Sequence, residues 1–152
     1  NVDLAYNGYR ARFPFFNISM EKDYGNEVTF TEVVTQDFSR VLLNIINNAC
    51  YALHQKKEAS GAGFEAMLKI STRSLNDQTE IRIWDNGPGI PAHIHQQIFD
   101  PFFTTKPSGS GNTGLGLSIS YEIIVQGHRG ELSVNSEEGV FTEFVIRLPV
   151  SR

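Results

Sequence analysis

The stretch IRIWDNGPGIP, residues 81–91, carries the pattern on which the fold prediction depends. Isoleucine alternates with other residues up to Asp85, as in a strand with one buried face. Asp85 then ends the strand, where its carboxylate can face a pocket and accept a hydrogen bond from an exocyclic amine. Gly87 and Gly89 let the backbone approach a flat ligand because neither carries a Cβ. Taken by itself, however, the segment is more typical of an ordinary turn.

A second candidate segment lies upstream on a predicted helix. From residue 37 to about 57, apolar residues recur at the spacing of a helix face turned toward a core. Asn44, Asn47 and Asn48 occur close together in this helix, although asparagine is a mediocre helix former. Asn44 and Asn48 are one helical turn apart, so their side-chain amides lie on the same face of the helix. An amide oxygen suits Mg²⁺ as a ligand, and a solvated polar face is the alternative interpretation.

A phenylalanine-rich segment follows at residues 98–106, IFDPFFTTK. It ends on Lys106, the only Lys or Arg between Ile83 and His128. A lysine near a glycine-rich loop can contact a γ-phosphate as a point charge, and the alternative is a solvated surface lysine.

A glycine-rich segment, GSGNTGLGLS at residues 109–118, leads into a helix predicted over 114–126. Free N–H groups at such a helix entry form a natural anion site. The segment matches G-x-G-x-x-G, but no strand clearly precedes it within a βαβ unit, which argues against a Rossmann domain. No Walker A motif is present.

The order of the predicted elements indicates the fold class. Pairs of strands separated by single helices favour an α+β protein, a two-layer α/β sandwich with a mixed sheet and helices packed on one face. Residues 1–152 are expected to form a single domain. The predicted elements are a helix end over 1–12, strands over 16–21 and 28–33, a helix over 37–57, strands over 65–73 and 80–84, a helix over 114–126, and a hairpin over 131–135 and 141–148.

Composition excludes several classes of protein. The 152 residues include 13 Lys and Arg against 17 Asp and Glu, a net charge of −4, which gives no electrostatic footprint for nucleic acid or an anionic membrane. No apolar run approaches the length of a membrane helix. The single cysteine, Cys50, excludes an internal disulfide and favours the reducing cytosol. Because the chain opens within a helix-like pattern, we expect a fragment of a longer protein.

In this order, the four segments resemble the ATP-binding (Bergerat) fold of the GHKL superfamily. Within that superfamily, the chain looks most like the catalytic domain of bacterial two-component sensor histidine kinases. The matching stretches are 40–53 for the N box, 85–90 for the G1 box, 98–106 for the F box and 109–118 for the G2 box, with residues 130–132 and 142–144 as the closing strands.

The resemblance implies a site for Mg²⁺-ATP. Asn48 would coordinate Mg²⁺, Asn44 would support the phosphates, and Lys106 would neutralise charge during phosphoryl transfer. Asp85 would receive the adenine amine, and Thr142 would join a water network beside it. A mobile lid over about 103–113 would close on the triphosphate. The implied nucleotide-binding residues are Asn48, Tyr51, Asp85, Gly87, Gly89, Ile90, Phe103, Thr104, Thr105, Lys106, Gly111, Thr113, Gly114, Leu115, Gly116, Leu117 and Thr142.

One position implies transfer rather than hydrolysis. Clamp ATPases of the superfamily carry a glutamate where this chain has Asn44, and an amide cannot act as a general base. The implied function is donation of the γ-phosphoryl group to a histidine on a separate dimerisation and phosphoacceptor domain, with a response regulator downstream. None of the four histidines is followed by the acidic residue of a family phosphoacceptor, so the fragment is not expected to phosphorylate itself.

The partners and location implied by the resemblance follow from that function. Dimerisation would use helices outside this chain, and the domain would contact neither nucleic acid nor a membrane. The expected location is the cytoplasm, with a membrane-anchored parent kinase as one arrangement. Two alternatives are a non-catalytic nucleotide-binding regulatory module and an anti-sigma-type serine kinase. Three departures from the family pattern are an extra Asn112 in the lid, and Arg129 and Phe141 at usual glycine positions, where they would tighten the back of the pocket.

Overall fold

Five strands form one mixed sheet in the computed structural model, which describes residues 19–24, 35–103 and 116–149. The strand order is β1-β2-β3-β5-β4. β1 runs parallel to β2, and every other neighbouring pair is antiparallel. The strands are β1 Ser19–Tyr24, β2 Met67–Leu75, β3 Gln78–Asp85, β4 Glu131–Glu137 and β5 Phe141–Pro149.

A long helix covers one face of this sheet. α1, Thr35–Ser60, has 26 residues and so extends about 39 Å at 1.5 Å per residue. Asp37 in the first turn and Lys57 in the last turn complement the helix dipole. Gly61, whose φ is +78°, follows the last helical residue in the left-handed conformation that commonly ends helices.

The remaining helical segments are short. Three-residue 3₁₀ turns lie at Gly61–Gly63, Ala92–Ile94 and Gln97–Phe99, α2 is Gly116–Tyr121, and a π-helical segment follows at Glu122–Gly127. In the described parts of the chain, no helix has the length and apolar character needed to cross a membrane.

The core lies between α1 and the sheet. The α1 residues that face it recur every three or four positions, as the apolar periodicity predicts. From the sheet, alternate residues of β3 and β5 point into the same layer because side chains on a strand alternate between faces. This arrangement confirms the predicted two-layer α+β sandwich. Its fully buried large side chains include Val41, Ile45, Ile46, Leu53, Leu68, Ile83, Ile124, Ile146 and Leu148.

The helix predicted over 114–126 is a regular α-helix, whereas the structure has an α-helix only up to Tyr121. After Tyr121 the backbone widens from α to π geometry through Gly127. Two groups beyond the segment satisfy its last carbonyls: the His128 ring nitrogen Nδ1 lies 2.8 Å from Ile123 O, and Gly130 N donates to Ile124 O at 2.8 Å. His128 therefore completes the helix end, a role that apolar periodicity does not reveal.

Most other predicted boundaries agree with the observed ones to within a few residues. The strand predicted over 16–21 is observed at Ser19–Tyr24, and the hairpin predicted over 131–148 is formed by β4 and β5. The helix end predicted over 1–12 and the strand predicted over 28–33 lie outside the described residues.

The face of the sheet opposite the helices carries a charge network centred on Glu80, which is buried and only 1% exposed. Its carboxylate accepts hydrogen bonds from Arg73 Nε at 3.1 Å, Arg82 Nε at 2.6 Å and Arg147 Nε at 3.1 Å. Arg73 and Arg147 are the cross-strand neighbours of Glu80 on β2 and β5. Burial by itself would raise the pKa of Glu80, but the three guanidinium groups outweigh it and lower the pKa to about 2.

The variant Glu80→Gln removes the negative charge that the three arginines bind, and we expect it to lose about 2 kcal/mol of unfolding free energy at pH 7. The loss is no larger because the arginines are partly in solvent, which screens their attraction to the carboxylate. The pKa of Glu80 is lower in the folded chain than in the unfolded one. Its stabilisation is therefore present above about pH 4.5 and is lost as the pH falls toward 2. Urea unfolding of wild type and variant at pH 7 and pH 3.5 should show the difference shrinking in acid. Glu131→Gln, which removes a more exposed carboxylate 3.6 Å from Arg147, is the control and should cost little. A difference that stays constant with pH would contradict an ionic origin.

Candidate functional site

A cavity opens between α1, the carboxyl end of β3 and the start of α2. Its walls are mainly apolar or glycine, with a few polar groups converging on it, which is the usual character of a small-molecule site. The lining residues are Asn48, Ala49, Tyr51, Ala52, Gln55, Asp85, Pro88, Gly89, Ile90, Pro91, Ile94, Ile98, Phe103, Gly116, Leu117, Thr142 and Phe144.

Asp85 is the buried acid of this cavity. It ends β3 with 3% of its surface exposed. Burial raises the pKa of its carboxyl to about 7, although the Gly87 N–H and the charge of Lys56 both favour the ionised form. The same desolvation, together with the nearby Asp85 charge, raises the pKa of the Cys50 thiol to about 12. Near neutral pH, the cavity thus contains a carboxyl group that can gain or lose a proton, whereas the thiol of Cys50, which lies in the core and does not line the cavity, stays protonated.

Gly87 and Asn86 fix the position of that carboxyl group. Gly87 N donates to Asp85 Oδ1 at 2.9 Å, and a Cβ at Gly87 would lie 2.6 Å from the same oxygen. Any larger residue would therefore displace the acid. The Asn86 side chain accepts from Met67 N at 2.7 Å and donates to Glu65 O at 2.9 Å, which attaches the loop to the start of β2. Gly87 therefore acts on Asp85 and does not line the cavity.

Lys56 joins three segments around the cavity. Its Nζ donates to Asn86 O at 3.0 Å, Gly87 O at 3.1 Å and Gly139 O at 3.2 Å. The ammonium also lies 4.9 Å from the centre of the Phe64 ring. One charged group on α1 thus holds the loop after β3 and the β4–β5 turn in place. Sequence reasoning missed Lys56 because the residues that it binds lie 30 to 83 positions away.

The β3 loop also bonds directly to the β4–β5 hairpin. Gly139 N donates to Pro88 O at 2.6 Å, and Ile90 N donates to Ser136 Oγ at 2.7 Å. Gly89 has a φ of +72°, and a Cβ there would lie 2.3 Å from Glu137 O. Only glycine fits between the two segments at this point. The floor of the cavity is therefore built from both.

The two asparagines of α1 predicted for the site, Asn44 and Asn48, differ in their position relative to the cavity. Asn48 lines the cavity. Asn44 does not: its Nδ2 donates to Gly116 O and to Ser120 Oγ, each at 3.2 Å. Asn44 therefore anchors the first turn of α2, whose Gly116 and neighbouring Leu117 line the cavity. The role predicted for Asn44 toward phosphates stays a prediction.

The phenylalanine-rich segment forms the outer wall. Ile98 is buried against the core, and the ring of Phe99 packs edge-on against Phe144 with centroids 6.4 Å apart. Phe103 lines the cavity, whereas Phe102 is 72% exposed and has a φ of +66°. The segment thus divides its aromatic side chains between the core, the cavity and the surface.

The structure brings together nine of the residues predicted for nucleotide binding. The nine that line the cavity are Asn48, Tyr51, Asp85, Gly89, Ile90, Phe103, Gly116, Leu117 and Thr142. The predicted residues Thr104, Thr105, Lys106, Gly111, Thr113, Gly114 and Leu115 lie outside the described residues. The lining residues that sequence reasoning did not select are Ala49, Ala52, Gln55, Pro88, Pro91, Ile94, Ile98 and Phe144.

The expectation that Phe141 and Arg129 tighten the back of the pocket is not met, since neither residue lines the cavity. Phe141 stacks on Trp84 across the opposite face of the sheet, with ring centroids 6.4 Å apart. Arg129 is exposed and has a φ of +55°, the left-handed conformation that glycine adopts more easily. Both residues therefore lie away from the cavity, Arg129 in the turn before β4 and Phe141 on the opposite face of the sheet.

We expect Asp85→Asn to stabilise the ligand-free domain above neutral pH. The folded chain raises the pKa of Asp85 from 3.8 to about 7, so wild type should lose stability relative to the variant as the pH rises from about 4 to 7. At pH 8 the difference should be at most about 4 kcal/mol in favour of the variant. Thermal unfolding from pH 4 to 8 measures it, with exposed Asp77→Asn as the control. A variant no more stable than wild type at pH 8 would show that burial does not penalise the ionised carboxylate.

Comparison with known proteins places this site in a family. Residues 34–152 match the family model described as histidine kinase-, DNA gyrase B- and HSP90-like ATPase. The signal transduction histidine-protein kinase AtoS of Escherichia coli (strain K12) is 36% identical over 145 residues, which cover 95% of this chain and 21% of AtoS. The sensor protein kinase WalK of Staphylococcus haemolyticus (strain JCSC1435) is 34% identical over 84% of this chain and 20% of its own length. The chain thus spans about a fifth of these relatives.

Solved structures agree with the sequence comparison. The nucleotide-free catalytic domain of the histidine kinase ThkA superposes with a TM-score of 0.78 at 28% identity, covering 99% of this chain and 92% of that one. The matched region contains the cavity and the four segments that line it. The chain therefore belongs to the family of histidine kinase-, DNA gyrase B- and HSP90-like ATPases, as a domain of the sensor histidine kinase type.

Proposed function

We propose that this domain binds Mg²⁺-ATP in the cavity and donates the γ-phosphoryl group to a histidine on a separate domain. The observation that carries the proposal is the buried carboxyl group of Asp85 at the end of β3, facing a cavity with apolar walls. A carboxylate so placed can accept a hydrogen bond from the amine of adenine, and side chains such as Ile90 and Ile98 suit the faces of a flat base. The histidine kinases among the relatives support the same chemistry.

Asn48 is the Mg²⁺ ligand in this proposal. In the described ranges, no group of three or more His, Cys, Asp or Glu side chains is placed to hold a metal ion. Mg²⁺ needs no such cluster when it binds through one or two protein oxygens, the nucleotide phosphates and water. The amide oxygen of Asn48 at the cavity wall fits a metal that arrives with the nucleotide. Bound there, the ion would neutralise charge on the phosphates.

The phosphate side of the site is assigned to the entry of α2. Gly116 and Leu117 line the cavity, and Asn44 holds their turn in place. We propose that the preceding glycine-rich segment supplies backbone N–H groups to the phosphates and that Lys106 supplies the cationic contact. Lys106 and residues 109–115 of that segment lie outside the described residues.

Asn44 favours transfer over hydrolysis. The side-chain amide of Asn44 has no basic lone pair that could take a proton from water, and its nitrogen already donates hydrogen bonds to α2. The residues of the cavity would then position ATP so that an imidazole nitrogen displaces ADP from the γ-phosphorus. Asn44 therefore acts here as a positioning residue, and no catalytic base is proposed.

The partners proposed for this function lie outside the chain. They are a dimerisation and phosphoacceptor domain, acting in cis or in trans, and a response regulator. A solved complex of ThkA with its response regulator protein TrrA contains a chain that superposes on this one with a TM-score of 0.73 at 26% identity. We propose the cytoplasm as the location, with no contact between this acidic domain and nucleic acid or a membrane.

Binding of Mg²⁺-ATP is tested by thermal unfolding. Nucleotide at 100 times its dissociation constant should stabilise the wild-type domain by about 2.7 kcal/mol. Asp85→Asn and Asn48→Ala should remove most of this stabilisation, whereas Asn47→Ala, on the exposed side of the same helix, should retain it. Equal shifts in all four proteins would place nucleotide somewhere other than the cavity.

Transfer is tested with γ-labelled ATP and a separately supplied phosphoacceptor domain of a sensor histidine kinase. We expect label on the acceptor histidine and little inorganic phosphate, because the amide of Asn44 cannot activate water as a general base. Asn48→Ala should abolish labelling, and Asn47→Ala should not. Intact nucleotide binding without any labelling would favour the regulatory-module alternative.

A further inference from the structure

The hydroxyl group of Ser136 on β4 takes part in three hydrogen bonds, which is as many as its one proton and two lone pairs allow. It donates to Phe141 O at 2.7 Å and accepts from Ile90 N at 2.7 Å. A third contact joins it to Thr142 Oγ1 at 3.2 Å. A serine hydroxyl has one proton and two lone pairs. Because a carbonyl oxygen can only accept, the single proton of Ser136 is committed to Phe141.

This arrangement fixes the direction of the third bond. With the Ser136 proton used, the hydrogen between Ser136 and Thr142 must come from Thr142, since otherwise two lone pairs would face each other at 3.2 Å. The Thr142 hydroxyl has no second proton. Thr142, which is 6% exposed and lines the cavity, therefore presents only lone pairs to a ligand.

A second acceptor lies beside it. Asp85 on β3 and Thr142 on β5 are direct cross-strand partners, and both line the cavity. An ionised carboxylate accepts hydrogen bonds and donates none. This edge of the cavity therefore offers acceptors from two adjacent strands. These acceptors can bind a ligand edge that carries N–H donors, and they cannot form a hydrogen bond with an edge that carries a carbonyl oxygen.

From this geometry we infer that Ser136 is a specificity-determining residue: by holding the Thr142 hydroxyl as an acceptor, it makes the cavity select a 6-amino purine over a 6-oxo purine. The inference rests on the proposed nucleotide site and deepens it. Ser136 acts through Thr142 and through the Ile90 amide, so it is a positioning residue. A site whose buried polar groups are left facing the wrong partner rejects that partner, which is the physical basis of the selection.

The test compares binding of ADP and IDP, which present an amine and an oxo group at the same position of the base. Calorimetry at pH 8, above the Asp85 pKa of about 7, keeps the carboxylate ionised. The measured quantity is the ratio of the two dissociation constants. In Ser136→Ala, the Thr142 hydroxyl is free to rotate and donate to the oxo group. The preference for ADP should then fall by about three- to tenfold, the value of one hydrogen bond.

Three further proteins make the result decisive. Ser133→Ala, on an exposed position of the same strand, should keep the wild-type preference. Ser136→Thr retains a hydroxyl and should retain most of it. Thr142→Val removes the acceptor and should lower the preference as Ser136→Ala does, which covers the case in which Ser136→Ala fails to fold.

The outcomes separate the inference from the proposed function. Wild type that binds neither nucleotide would overturn the nucleotide site itself, and the inference with it. Wild type that binds ADP and IDP equally, or a Ser136→Ala variant that weakens both by the same factor, would overturn the inference alone. In the second case, the serine would serve only to hold the loop.

Discussion

The pairing of β3 with β2 on one side and β5 on the other is the constraint on which the rest of the molecule depends. Strand periodicity sends Ile81 and Ile83 into the core layer and places Asp85 in the same layer at the end of the strand. The same periodicity sends Glu80 to the opposite face, where arginines from both neighbouring strands meet it. A shift of one residue would exchange the two faces and bury the wrong charges, so the charge network and the site acid fix one register together.

Two carboxyl groups of β3 thus experience opposite environments five residues apart. Glu80 is buried among guanidinium groups, and its pKa falls to about 2. Asp85 is buried mainly among apolar groups, and its pKa rises to about 7. The first therefore stabilises the fold near neutral pH, whereas the second weakens it. Natural proteins often accept such a cost where a ligand is bound, because the group that destabilises the free protein is also the group that recognises the ligand.

Local patterns in the sequence were enough to predict the sandwich and much of the site. The apolar stripe of α1 and the alternation before Asp85 depend only on neighbouring residues, so periodicity finds them. Lys56 could not be found in this way, since the carbonyl groups that it binds lie 30 to 83 positions away in the chain. The link between Ser136 and the β3 loop could not be found either, since its partner Ile90 is 46 positions away. The π segment was missed because its carbonyls are satisfied from beyond the helix, by the ring of His128 and the amide of Gly130.

The contact between Gly89 and Glu137 has a consequence for how such domains change. The space between the two segments holds no Cβ, and a neighbouring backbone hydrogen bond joins Pro88 to Gly139. Two parts of the chain almost fifty positions apart must therefore vary as one unit. An engineer who grafts the β3 loop of a relative onto this scaffold would have to move the β4–β5 turn with it and keep a lysine at position 56. The part of the site that can be transferred as a unit is therefore the β3 loop together with the β4–β5 turn and the lysine. These parts are neighbours in space, and no continuous segment of the sequence contains all of them.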